Sequence, residues 1–190
     1  LRGRRTCMKK IMISVLGHDR PGIIAAVSEV LFRSGCNIED VSQTILQTEF
    51  AGIFIASYPD SQKPEELIGR LCEKLGPMGL SVLLREMEAA GVWEPPPTEP
   101  FVITTLGPDR PGLVAGITEL LARFGVNISN LKAVFRGGDN PQENTMIYEV
   151  DIPVAADHNL FREALYERGR ELDLDVSLQH REIFEAIHRI

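Results

Sequence analysis

Gly17-His18-Asp19-Arg20-Pro21-Gly22 returns ninety positions later as Gly107-Pro108-Asp109-Arg110-Pro111-Gly112. Short apolar runs lead into both copies, Ile11 to Leu16 and Phe101 to Leu106. An apolar-periodic run follows each copy and stops at a glycine, Gly35 and Gly125. Asn37-Ile38 and Asn127-Ile128 come next, still ninety apart. A fixed internal period marks one structural unit used twice, and here it decides the architecture.

The repeated loop has a physical reading. Proline at the first helical position fixes φ where its missing N–H costs nothing. The glycine after it lets another group approach the backbone. Free N–H groups and the positive end of the helix dipole then face whatever lies in front of the loop, which suits an anion or a carboxylate.

Working outward, Ile11 to Leu16 reads as a strand and Pro21 to Ser34 as a helix. Ile23, Val27, Val30 and Leu31 form the buried stripe of that helix. Asn37 to Thr48 and Ala51 to Tyr58 read as two strands joined by a short hairpin around Gln47 to Gly52. Pro64 opens a second helix with Leu67, Leu71 and Leu75 on one face, ended by Gly76-Pro77. Leu80 to Arg85 is a fourth strand. The second unit repeats the scheme, with Leu113, Ile117, Leu120, Leu121 and Phe124 as its first helical stripe. Beyond Arg136 to Asn144 the offset becomes ninety-four, which places four extra residues in the second hairpin. The last strand, Leu174 to Gln179, alternates apolar and polar residues.

Each unit is therefore predicted as βαββαβ, the ferredoxin-like arrangement, and the fold class as α+β with two such domains in tandem. The expected division is a basic segment over 1–10, a first domain over 11–88, a proline-rich linker over 89–100, a second domain over 101–181 and a tail over 182–190. Trp93, the only tryptophan, is expected to pack the linker onto a domain. The tail carries Ile183, Phe184 and Ile187 on one helical face, able to dock on a domain or a second chain. One face of each sheet lacks helices. Sheet packing between units is the expected cover, with intimate domain pairing and a homodimer.

Composition narrows the function. The chain has 190 residues and a net charge of −7, without the basic footprint of a nucleic-acid binder. No apolar run approaches membrane-spanning length. Three cysteines without metal spacing (Cys7, Cys36 and Cys72) point to a reduced, cytoplasmic protein. His18, His158, His180 and His188 share no motif with a nucleophile or a zinc set, so no catalytic residue, metal or cofactor is expected. Cys36 reads as a small packed residue, its counterpart being Val126.

What remains is Asp19, Gly22 and Asn37 with Asp109, Gly112 and Asn127. Fourteen helical residues span about 20 Å, so one unit cannot close a small site from both helix ends. Two units side by side would bring one loop to the other's asparagine. N–H groups at Gly22 and Ile23 would then hold a carboxylate, and Asp19 and Asn37 would accept from an ammonium. A structural reading stands beside this one: Asp19 bonding the helix start, Asn37 in a turn, and Gly22 allowing close packing.

At these residues the chain resembles the ACT-domain family, ligand-sensing modules of amino-acid metabolism. Asp19-Arg20-Pro21-Gly22-Ile23 with Gly35-Cys36-Asn37-Ile38 carries the likeness, as does Asp109-Arg110-Pro111-Gly112-Leu113 with Gly125-Val126-Asn127-Ile128. A narrower likeness rests on Ser34 to Asp40 and Glu49-Phe50 in a tandem pair with a proline-rich linker. It is to the family of glycine cleavage system transcriptional repressors, which act through a DNA-binding protein and answer to glycine. The resemblance implies a non-catalytic regulator that binds a small amino acid, with ligand contacts at Asp19, Gly22, Ile23, Asn37, Asp109, Gly112, Leu113 and Asn127. Its implied partner is a DNA-binding transcription regulator, with no direct nucleic-acid contact. In serine-sensing relatives the loop carries a histidine and an asparagine where this chain has Gly17 and Asp19, or Gly107 and Asp109. Two alternatives stay open: a regulatory fragment related to formyltetrahydrofolate deformylases, and a ligand-free dimerisation module.

Overall fold

In the computed structural model, residues 9–87, 96–135 and 144–188 are described. Trp93, most of the linker, Cys7 and most of the basic segment, and the inserted hairpin residues 136–143 lie outside them. Packing divides the chain into two units, Leu1–Trp93 and Glu94–Ile190.

The first unit runs β1 (Lys9–His18), α1 (Ile23–Arg33), β2 (Asn37–Leu46), β3 (Glu49–Tyr58), α2 (Pro64–Leu75), a 3-10 turn (Gly76–Met78) and β4 (Ser81–Met87). The second runs β5 (Thr98–Gly107), α3 (Leu113–Arg123), β6 (Asn127–Phe135), β7 (Asn144–Pro153), α4 (His158–Glu171), β8 (Asp175–His180) and a terminal α5 (Arg181–His188). The sheets have the orders β2-β3-β1-β4 and β6-β7-β5-β8, antiparallel throughout. These are two ferredoxin-like βαββαβ domains, as the periodicity predicts.

Alternation along β1 explains the layering. Ile11, Ile13 and Val15 are fully buried beneath the helices, with Phe54 and Ala56 of β3 opposite them in register or next to it. The stripe Ile23, Val27, Val30 and Leu31 closes on them from α1, and Leu67, Leu71 and Leu75 from α2. In the second unit Ile103 meets Leu113, Ile117 and Leu121 of α3 and Phe161 and Leu165 of α4. The predicted helix stop also holds: Gly35 has φ 69°, and the Cys36 N–H reaches back to the Leu31 carbonyl at 3.0 Å. Gly125 and Val126 repeat it. Glu29 on α1 bonds Lys74 on α2 at 2.8 Å, and Lys74 followed by Arg33 holds its carboxyl below the usual range.

Several boundaries differ from the sequence reading. The first helix begins at Ile23 rather than Pro21, because Gly22 takes a left-handed conformation that cannot belong to it. The hairpin is tighter: Leu46 pairs directly with Glu49, leaving a two-residue turn at Gln47-Thr48 with Gln47 at φ 57°. Residues Thr98 to Pro100, expected in the linker, pair with β7 as the start of β5.

The tail docks on its own domain. α5 packs against β5 and β8. Arg181 bonds the Ser129 hydroxyl at 3.1 Å and lies 3.7 Å from Glu149 and 3.5 Å from Asp151. Glu149 and Asp151 stand opposite Val102 and Pro100, on the face away from α3 and α4. α5 therefore lies over part of the sheet face that the repeat leaves without helices. In the first unit Leu16, Ile53 and Leu83 are exposed on the corresponding face.

Tyr58 supplies a test of packing. It is buried, donates to Glu86 at 2.9 Å, and burial together with that carboxylate pushes its phenol up to about 12. The folded state keeps the proton longer than the unfolded chain. Its stabilising effect is complete below the ordinary tyrosine pKa of about 10 and is lost as pH rises through about 12. Urea midpoints measured from pH 9 upward should fall across that window, and Tyr58→Phe should flatten the fall.

Candidate functional site

The site begins where β1 turns into α1. Gly22 and Gly112 cap their helices at φ 98° and 94°, a region that side chains avoid. A Cβ at either would meet nothing within 4 Å. The glycine is thus demanded by backbone handedness, not by close packing. The tight approach belongs to the other glycine of the motif: a Cβ at Gly17 would stand 2.8 Å from the Gly79 carbonyl oxygen. The N-caps Gly22 and Gly112 have no side chain to cap α1 or α3, and among the described residues Asp19 makes no bond to the helix start through its carboxylate. Its backbone N–H instead donates to the Thr48 carbonyl at 2.8 Å, tying the loop to the β2–β3 turn.

In front of this loop lies a cavity of about 230 Å³. Asp19, Arg20 and the first helical residues form one wall; Gln43 and Phe50 form the other. Gln43 sits on β2 opposite Gly52 of β3. A Cβ at Gly52 would fall 2.7 Å from the Phe50 ring, so this glycine gives the ring its place beside the cavity. The volume is below the roughly 300–1,000 Å³ of pockets for drug-sized molecules, which suits a small ligand. Among the described residues, the side chains of Asp19, Arg20 and Gln43 make no hydrogen bond or ion pair with the protein.

The structure brings Asp19, Gly22 and Ile23 together here. The Ile23 side chain is buried in the core, so only its backbone is open to a ligand; Leu113 is buried in the same way. Asn37 and Asn127 begin β2 and β6, beyond the far ends of α1 and α3. Neither comes to the loop of its own unit. In the second unit the Asp109 carboxylate accepts from the Asn144 amide at 3.0 Å, and Arg110 donates to the Leu172 carbonyl just past α4.

Arg20, Ile24, Ala25, Gln43 and Phe50 are the lining residues that sequence reasoning passed over. Arg20 lay within the repeated motif, where its charge was signal enough. Gln43 and Phe50 are revealed only by the strand register. Cys36 is half-buried, which pushes its thiol up, and His18 is exposed beside Glu49 at 3.4 Å. Among the described residues, no group of histidine, cysteine and carboxylate side chains is arranged to hold a metal ion.

The chain belongs to the ACT domain family, whose profile matches residues 9–84 and again 99–179. A UPF0237 protein of Methanopyrus kandleri is 37% identical over 90 residues, which is 47% of this chain and 96% of that protein. One from Methanococcus maripaludis is 36% identical over 93 residues, 48% of this chain and 99% of its own. Such relatives are about half as long as this chain. Among solved structures, an unknown protein from Galdieria sulphuraria superposes with a TM-score of 0.73 at 23% identity, over 91% of this chain and 98% of that one. A candidate glycine cleavage system transcriptional repressor gives 0.63 at 20% identity, over 91% and 97%. At these identities the two structures establish a shared fold. The ACT domains are regulatory modules by family.

Gly22→Ala tests the handedness argument. With open space around the new methyl group, the cost is backbone strain alone, about 1–2 kcal/mol. Thermal unfolding followed by circular dichroism should show that loss. An unchanged midpoint would mean the left-handed turn is not required.

Proposed function

We propose that this chain is a non-catalytic regulator of amino-acid metabolism, on the glycine and one-carbon side, which binds a small amino acid and acts on transcription through a protein partner. The cavity at the β1–α1 loop carries this reading, because a carboxylate and a guanidinium, both unpaired among the described residues, and a carboxamide line a small volume there. An amino acid brings one carboxylate and one ammonium. Arg20 and the first N–H groups of α1 would hold the carboxylate. Asp19 and the Gln43 carbonyl oxygen would take the ammonium. The proposed contacts at Asp19, Gly22 and Ile23 belong to this cavity; those at Asn37, Asp109, Gly112, Leu113 and Asn127 rest on the repeat and on family likeness.

The regulatory half of the reading is supported by ACT membership and by the likeness to a candidate glycine cleavage system transcriptional repressor. A net charge of −7 favours action through a protein over direct contact with DNA. A cytoplasmic homodimer completes the proposal, the apolar face of the first sheet (Leu16, Ile53 and Leu83) being its support. A ligand would shift such an assembly only as far as it prefers one arrangement over another.

Thermal unfolding with each of the twenty amino acids, glycine and serine first, tests the binding. Ligand at about a hundred times Kd adds roughly 2.7 kcal/mol. One amino acid should raise the midpoint, and Arg20→Gln should remove the rise without loss of the fold. No shift with any of them would leave a protein-interaction scaffold as the better account.

A further inference from the structure

We infer that the two repeats are not equivalent sensors: the first unit carries the open amino-acid site, and in the second the protein's own groups occupy the corresponding loop. Each chain then takes one amino acid, not two. The inference rests on the reading of the cavity given above and adds its stoichiometry and its asymmetry.

The observations come from comparing counterparts. The side chains of Asp19 and Arg20 line the cavity without partners among the described residues. Their counterparts each hold a partner within the second unit. Asp109 accepts an N–H from the Asn144 amide at 3.0 Å, and Arg110 gives an N–H to the Leu172 carbonyl. The carboxylate already has a donor and the guanidinium already has an acceptor. These are the two kinds of group an amino acid would bring as ammonium and carboxylate. The two bonds use only part of the capacity of these groups, but they hold both side chains in place, turned to the protein's own amide and carbonyl. A ligand that needed either side chain elsewhere would have to break its bond and leave that amide or carbonyl to be satisfied by other means.

The substitutions that produce this difference lie at matched positions of the two sheets. Phe50 stands opposite Gly17, and Asn144 stands opposite Gly107. The first unit therefore has a ring beside the cavity where the second has the amide that ties down Asp109. Gln43 pairs with Gly52 in one unit, while Ala133 pairs with Met146 in the other. The second unit has lost the carboxamide and has gained a long side chain where the first keeps a glycine. The helix-capping glycine and the aspartate-arginine pair persist in both. The repeated motif alone does not distinguish an open loop from a filled one.

Isothermal titration of the full chain tests this, with glycine and then each of the other nineteen amino acids as probe. One of them should saturate at one equivalent per chain. Arg20→Gln should weaken it at least tenfold, and Gln43→Ala, which alters only the first unit, should weaken it as well. Arg110→Gln should leave the affinity unchanged. Two equivalents per chain, or a loss with Arg110→Gln as deep as with Arg20→Gln, would overturn the asymmetry and leave the amino-acid reading standing. Unchanged affinity in both Arg20→Gln and Gln43→Ala would place the site elsewhere and overturn it too. No binding by any amino acid would overturn both readings, and circular dichroism of each variant separates lost binding from lost fold.

Discussion

Each unit depends on burying one face of one sheet. Ile11, Ile13 and Val15 are sealed under α1 and α2, and at roughly 25 cal/mol per Å² of apolar surface no polar contact in the unit matches their combined effect. The chain must therefore leave β1 and turn at once onto that face as a helix. The left-handed glycine is the device that makes the turn. It also leaves the first N–H groups of α1 without a side-chain cap. β2 is the outer strand of its sheet, and Val41 and Ile45, on the covered side by register, remain about half exposed. Gln43 lies between them on this ledge. The cavity lies between this edge strand and the start of α1.

Most of the fold was legible because it is written in periodicity. The helical stripes, the stopping glycines and the ninety-residue offset are local signals, and the same residues form the two cores. The strand ends were less legible. A two-residue hairpin turn carries little composition, and here Gln47 takes the positive φ without a glycine to announce it. The linker looked longer than it is because Thr98 to Pro100 read as an extension of a proline run. Their pairing with β7 is a non-local fact.

The site was half legible. Asp19 and Gly22 could be singled out because the repeat points to them. Asn37, singled out by the same repetition, sits at the other end of α1, as the length of that helix requires. Gln43, Phe50 and Gly52 come together only through the register of β2 on β3. Asn144 offered no signal in sequence at all. Only its position opposite Gly107 makes it a partner for Asp109.

The bond from the Asp19 N–H to the Thr48 carbonyl couples two parts of the molecule that sequence keeps apart. Asp19 offers its side chain to the cavity and its backbone to the tip of the β2–β3 hairpin. β2 is the outer strand of its sheet, so that tip stands at the border of the unit. One residue is thereby shared between the wall of the cavity and the turn of the hairpin. The position of the Asp19 backbone and that of the hairpin tip are therefore set together, by a single hydrogen bond.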